Sequence, residues 1–78
     1  MTIQVTSEHI EKANGKYLLH PVALALKEIF SAADVYIACA YVWEYGKKKL
    51  INFSMESTEK IMSYHLSGKM EPFELQII

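Results

Sequence analysis

The segment from His20 to Phe30, which reads HPVALALKEIF, constrains the fold most strongly because its start, its periodicity and its length all predict one helix. Pro21 suits the first helical position, where its missing N–H leaves no bond unmade, so His20 is the expected N-cap. Apolar side chains then recur at the spacing of a helix that packs on a sheet. These residues are Val22, Ala25, Leu26, Ile29 and Phe30. We therefore predict that residues 20–30 form the principal core helix.

The length and the charge of the chain restrict the class of protein. Residues 1–78 make one small domain, close to the lower size at which a single core is stable without a disulfide, a metal or a partner. The chain is 51% hydrophobic and 22% charged, which is typical of a globular protein. Its formal net charge of −1 provides no field to attract a phosphate backbone, so nucleic-acid binding is not expected.

The cysteine content and the first residues indicate a compartment. A single cysteine, Cys39, excludes an internal disulfide and a zinc site made of cysteines alone, and it fits a reducing environment. The opening MTIQVTSEHIEK lacks the basic and apolar regions of a signal peptide, and charges interrupt the chain too often for a membrane span. We therefore expect a cytoplasmic protein.

A short strand and a short helix are predicted before the core helix. Residues 3–5, IQV, alternate apolar and polar side chains, which predicts a strand with one apolar face. Thr6 is the expected N-cap of a helix over 7–13, and Asn14 with Gly15 is expected to supply a left-handed stop.

The longest β-favouring run, VYIACAYVWEY, covers residues 35–45 and predicts one long strand. Gly46 and the lysines after it are expected to form a hairpin turn into a second strand over 49–53. Since neither face of the long strand is polar, we expect helices to cover one face, and a partner chain or a ligand to cover part of the other.

The C-terminal third predicts a helix and then a strand. Ser54 is a good N-cap and Gly68 a good stop, and alternation after Pro72 predicts a strand that runs from Phe73 to Ile78. The expected apolar stripe of this helix consists of Thr58, Ile61, Met62, His65 and Leu66. The whole order predicts an α+β fold with a four-stranded, largely antiparallel sheet, two main helices on one face and a short N-terminal helix, in a split βαβ arrangement resembling the ferredoxin-like fold.

No group of residues in the sequence has the spacing of an active site or a metal site. The three histidines lie on different predicted elements, without the spacing that places two ligands on one helix face. We interpret His9 as a surface residue, His20 as a cap with a neutral ring, and His65 as half-buried. Cys39 lies among apolar neighbours, where a thiol is inert. We therefore predict a protein that is not an enzyme and has no cofactor or metal.

The run of three lysines after Gly46 is the only basic run, and it allows two interpretations. With three aromatic residues nearby it fits a contact made by charge and stacking, including contact with phosphate or single-stranded nucleic acid. Lysines at a hairpin also keep its tip soluble and guard an edge strand, and the aromatic residues equally fit a core. If the chain binds a partner, the expected contacts are Tyr41, Trp43, Tyr45, Lys47, Lys48 and Lys49.

The even-numbered residues of the long strand predict a homodimer. A core this small gains from burying apolar residues against another chain. The expected dimer interface consists of Tyr36, Ala38, Ala40 and Val42.

Three motifs resemble those of a family of very small, mostly uncharacterised proteins encoded by bacteriophages and prophages. They are Thr6-Ser7-Glu8-His9-Ile10 in a T-x-E-H-I turn, Pro21-Val22-Ala23-Leu24-Ala25 in a P-V/I-A-L-A helix, and Pro72-Phe73-Glu74-Leu75 at the last strand. In that family a cysteine often precedes the proline of the second motif, where this chain has His20. The resemblance spans nearly the full length and implies a shared scaffold, without catalytic residues.

Small size, the absence of catalytic groups and this resemblance lead to one leading hypothesis of function. It is a phage or prophage accessory protein in the host bacterial cytoplasm that binds a host protein or protein complex, as an inhibitor of a defence system in the manner of anti-CRISPR proteins. The alternative is a small-molecule binder, such as a sponge for nucleotide signals, with a pocket between subunits lined by lysines and aromatic residues.

Overall fold

A computed structural model describes residues 1–14 and 19–78 and confirms the α+β class. The strands are β1 (Thr2–Val5), β2 (Ala32–Val35), β3 (Cys39–Glu44), β4 (Lys47–Asn52) and β5 (Phe73–Gln76). The helices are α1 (Ser7–Ala13), α2 (Pro21–Leu26) and α3 (Met55–Ser67). Among the described residues, no helix is long and apolar enough to cross a membrane.

The strands form two antiparallel sheets. β1 pairs with β5, and β2, β3 and β4 pair in that order. One isolated bridge, Phe53 with Ile77, joins the ends of β4 and β5. Neither the predicted four-stranded sheet nor the ferredoxin-like strand order is therefore confirmed.

The long strand predicted over residues 35–45 is a hairpin in the structure. β2 begins three residues earlier than predicted and ends at Val35, and the chain turns before β3 begins at Cys39. The Tyr36 N–H donates to the Cys39 carbonyl at 2.8 Å and closes this turn. The prediction was wrong because the turn contains no glycine or proline, so β-favouring residues run through it without interruption.

The core helix begins as predicted and ends early. The His20 side chain accepts a hydrogen bond from the Val22 N–H, and Pro21 occupies the first turn. After Leu26 the backbone forms a tighter turn of the 3₁₀ type. The Ile29 N–H donates to the Leu26 carbonyl, three residues back, at 3.0 Å. Ile29, predicted to be buried, is consequently 54% exposed.

The capping of α1 explains why a T-x-E-H-I motif suits this position. Thr6 accepts from the His9 N–H, and the His9 side chain accepts from the Thr6 N–H, which is a reciprocal capping box. The predicted left-handed stop is absent at Asn14, which is extended with φ −61°. Gly15, the other half of that prediction, lies outside the described residues.

α3 has the predicted bounds but buries a narrower face. Ser54 caps its start, and Gly68 ends it in the left-handed conformation at φ 73°. Its buried residues are Ser57 and Ile61, whereas Leu66 of the predicted stripe is 84% exposed. The Ser57 hydroxyl accepts a hydrogen bond from the Gln76 N–H at 2.9 Å, which fixes this helix on β5.

One hydrophobic core is formed by side chains from both sheets and from the helices that pack on them. β1 and β5 contribute alternate residues, α2 lies against β1 and β2, and the three-stranded sheet contributes the side chains of one face. The buried residues are Ile3, Val5, Val22, Ala25, Leu26, Phe30, Ala40, Val42, Ile51, Phe53, Ile61, Phe73 and Leu75. The opposite face of the three-stranded sheet contributes none of them.

Truncating Leu75 to alanine should destabilise the domain by about 2–5 kcal/mol, because the side chain is fully buried at the centre of β5. Chemical denaturation at neutral pH measures this change in the free energy of unfolding. Leu66→Ala is the matched control, since the same atoms are removed from an exposed site, and it should change stability by less than about 0.5 kcal/mol. Equal losses from the two variants would contradict the assignment of the core.

Candidate protein-binding surfaces

The outer face of the three-stranded sheet is an aromatic surface. Register places Trp43 of β3 beside Ala32 and Lys48, and Tyr41 beside Asp34 and Leu50. Side chains alternate between faces along a strand, so these residues share the face opposite the core. We call this set, together with Tyr36, the aromatic face. Its members are Ala32, Asp34, Tyr36, Tyr41, Trp43, Lys48 and Leu50.

Polar groups are built into the aromatic face. The Lys48 ammonium lies 4.2 Å from the ring centre of Tyr41 and 5.7 Å from that of Trp43, which are cation–π distances. The Tyr36 hydroxyl donates to an Asp34 carboxylate oxygen at 3.0 Å, and this hydrogen bond raises the pKa of Tyr36. The face therefore combines aromatic area with one cation and one anion held at defined positions.

The turn between β3 and β4 projects a tyrosine into solvent. Tyr45 and Gly46 are its two central residues, with φ of 53° and 75°, and Glu44 pairs with Lys47 on either side. Two positive φ angles in a two-residue loop define the type I′ hairpin turn. Tyr45 is 95% exposed. We call Tyr45, Gly46, Lys47 and Lys49 the hairpin tip.

The structure brings together three of the six predicted partner contacts. Tyr41, Trp43 and Lys48 meet on the aromatic face. Lys47 and Lys49 alternate with Lys48 along β4, so they lie on the other side of the sheet. Tyr45 lies beyond the sheet at the tip. The predicted single contact set is thus two adjacent surfaces.

The predicted dimer residues are divided by the turn after β2. Ala40 and Val42 are fully buried against the chain's own core, so another chain cannot contact them in this fold. Tyr36 and Ala38 are exposed in the turn. The part of the dimer prediction that depends on Ala40 and Val42 is therefore corrected, because the helix and strands of the same chain cover the face on which they lie.

Two histidines that are distant in sequence form a pair that the sequence did not predict. Nε2 of His20 lies 3.0 Å from Nε2 of His65, and the Tyr64 ring packs edge-on against His20. Because Nδ1 of His20 accepts the Val22 N–H, its ring proton is assigned to Nε2, which donates to His65. Burial, with a smaller contribution from the charge of His65, lowers the pKa of His20 to about 4. His65, predicted to be half-buried, is exposed.

This histidine pair does not suit a metal. A neutral imidazole that binds a metal through Nε2 carries its proton on Nδ1, and Nδ1 of His20 is already the acceptor that caps α2. Across residues 1–14 and 19–78, no group of three histidine, cysteine or acidic side chains is placed to hold a metal ion.

His9 is buried and joins two elements, in contrast to the surface position expected from the sequence. Nδ1 accepts from the Thr6 N–H at 3.0 Å, so the ring proton lies on Nε2, which is 2.5 Å from a Glu28 carboxylate oxygen. Glu28 lies in the turn that follows α2. His9 therefore joins α1 to that turn. Its unprotonated nitrogen, Nδ1, accepts the capping hydrogen bond and so is not free to act as a catalytic base.

Two clefts in the described part of the chain lie away from the aromatic face. One of about 660 Å³ is formed by α1, α3 and the connector after α3, and another of about 330 Å³ lies above His9 and Glu28. Neither is lined by a residue of the three-stranded sheet. Neither of these two clefts combines the lysine run with the aromatic residues.

Comparison with protein-family models, with curated proteins and with solved structures gives no match for this chain. Functional assignment therefore depends on the chemistry of its own surfaces.

Replacing His20 with asparagine should remove part of the loss of stability in mild acid. The folded-state pKa of His20, about 4, lies below its ordinary value of 6.5, so the unfolded chain takes up the proton first as the pH falls. The contribution of His20 is therefore complete above about pH 6.5 and is lost as the pH falls towards 4. We expect a loss of about 1–2 kcal/mol for this half-buried ring.

Urea unfolding at neutral pH and near pH 4.5 measures this loss. Asparagine still offers an N-cap acceptor but does not titrate, so His20→Asn should show a smaller fall between the two conditions than the native chain. His65→Gln is the control: it leaves the burial of His20, the larger cause of the shift, in place. An undiminished fall in His20→Asn would refute the role of this ring.

Proposed function

We propose that this chain is a phage or prophage accessory protein that acts by binding a host protein, and that the hairpin tip makes the contact. The observation that carries the proposal is Tyr45, which combines nearly complete exposure with a left-handed backbone. Sequence motifs resembling those of small phage proteins support the biological setting. Inhibition of a host defence system is the form of action that best fits a small binder without catalytic groups.

Tyr45 is an unfavourable choice if the turn serves folding alone. Left-handed backbone costs an ordinary residue roughly 1–2 kcal/mol, whereas glycine and asparagine adopt it readily. The side chain is 95% exposed and so gains little from packing within the described structure. A residue that strains the backbone and projects an aromatic ring into water is typical of a functional position. Tyrosine is also among the residues that most often dominate binding energy at protein interfaces.

The lysines beside Tyr45 indicate the charge of the partner. Lys47 and Lys49 of the hairpin tip are two of eight basic residues in a chain whose formal net charge is −1. The tip is therefore a local positive site on a weakly acidic protein. Such a site steers association with an acidic surface, and the tyrosine supplies the apolar anchor.

The alternative of a nucleotide sponge has less support from the geometry. It requires lysines and aromatic residues that line one pocket. Lys47 and Lys49 lie on the opposite side of the sheet from Tyr41 and Trp43. A protein partner with an acidic surface can contact residues on both sides of the sheet, whereas a small ligand in one pocket cannot.

Tyr45→Asn should make the protein more stable and a poorer binder. Asparagine relieves the left-handed turn, so we expect a gain of about 0.5–1 kcal/mol in the free energy of unfolding. Loss of the aromatic anchor should lower affinity for the captured partner at least about tenfold. Thermal unfolding measures the first effect, and quantitative pull-down from bacterial lysates measures the second.

Matched charge variants separate the tip from the rest of the surface. Lys49→Glu at the tip should weaken capture, whereas Lys69→Glu, an exposed lysine after α3, should not. Retention of the partner by Tyr45→Asn, or no stoichiometric partner in lysates of several hosts, would count against the proposal. A large thermal stabilisation by cyclic nucleotides, about 2.7 kcal/mol at one hundred times the dissociation constant, would favour the sponge instead.

A further inference from the structure

Within residues 1–14 and 19–78, no helix or strand covers the aromatic face. The core takes its residues from the other side of the three-stranded sheet. Tyr36 and Leu50 are each 49% exposed, and the described helices lie on the core side or against β1 and β5. Contiguous apolar area of this kind on a small protein marks an interaction surface.

The aromatic face is arranged as protein interfaces are. Its central strand contributes Tyr41 and Trp43, and its margins carry the charged residues Asp34 and Lys48. Interfaces between proteins concentrate aromatic residues at the centre and keep polar groups at the rim. The hairpin tip projects beyond this face and remains free when the face is covered.

By strand register, the two charged residues stand at opposite corners of the face. Asp34 is on β2 beside Tyr41, and Lys48 is on β4 beside Trp43. Two strand spacings, about 10 Å, separate them across the sheet. The point midway between them lies on β3, between Tyr41 and Trp43, at the aromatic centre. The Lys48 side chain leans inward from its corner, so that its ammonium lies 4.2 Å from the Tyr41 ring centre.

We propose that the aromatic face closes on the same face of a second copy of this chain, with Lys48 of each copy opposite Asp34 of the other. The twofold axis lies in the interface, passes over the midpoint between Tyr41 and Trp43, and is perpendicular to the line from Asp34 to Lys48. Rotation about that axis exchanges the two corners, so both charge pairs form at once when each Lys48 side chain extends from the Tyr41 ring towards its own corner. The aromatic rings of the two copies then cover each other.

Charge is the reason for choosing a second copy as the occupant. An interface between identical chains must be complementary to itself, and a face with one cation and one anion at opposite corners meets this condition. A partner of opposite net charge would instead favour a face of a single sign, which is the character of the hairpin tip. The dimer expected from chain length is thus retained on a different surface from the one that the sequence predicted.

The size of the face sets the expected strength of the dimer. Three short strands bury roughly 1,000 Å² in total when two such faces meet, which is at the lower end for specific interfaces. We therefore expect a reversible dimer with a dissociation constant on the order of micromolar.

Charge reversal tests the pairing. Asp34→Lys places two cations on each face and Lys48→Asp places two anions, so each variant alone should be monomeric by light scattering or sedimentation at about 100 micromolar, where the native chain is dimeric. An equimolar mixture of the two variants should form a heterodimer, since every charge then meets its opposite. The double variant Asp34→Lys with Lys48→Asp should regain the homodimer.

Matched variants keep the test specific. Lys69→Glu changes a charge elsewhere and should leave the dimer intact, and circular dichroism confirms that each single variant is folded. Tyr45→Asn should also dimerise normally, so failure of the dimer and failure of host binding at the tip are observed separately. A native chain that is monomeric at this concentration overturns the proposal. Single variants that still dimerise, or a mixture that stays monomeric, would overturn it as well.

Discussion

Pairing of the two ends of the chain is the constraint on which the rest of the structure depends. β1 and β5 run antiparallel from Thr2 with Gln76 to Val5 with Phe73, and their inward side chains are among the most buried. α3 is held to this pair through Ser57, and the three-stranded sheet joins it through the single bridge at Phe53. Without the terminal pair, α3 would lose the strand on which it packs, and α2 would lose one of the two strands that it lies against.

The described helices cover only one face of the three-stranded sheet. α2 lies against β1 and β2, and α3 lies against β5, so the described helices leave the aromatic face exposed. The face that stabilises the fold contains Ala40 and Val42, and the uncovered face contains Tyr41 and Trp43.

Local signals account for the predictions that were confirmed. His20 and Pro21 start α2, Ser54 starts α3, and Gly68 ends it, because caps depend on one or two side chains and the adjacent backbone. Predictions that depended on which surface another element would occupy were less successful. Leu66 and Ile29 fit apolar stripes in the sequence but face solvent, since no described element covers them.

The sequence by itself determined the α+β class, the start of every helix and the presence of a lysine hairpin beside aromatic residues, because these depend on periodicity and on cap and turn residues close in the chain. Only the tertiary structure decided that residues 35–45 turn back as a hairpin, that His20 meets His65, and that Tyr41, Trp43 and Lys48 share a face while Lys47 and Lys49 do not. The physical reason is that strand register and the covering of a sheet are set by contacts between distant segments. A change of one residue in that register would exchange the core face and the aromatic face.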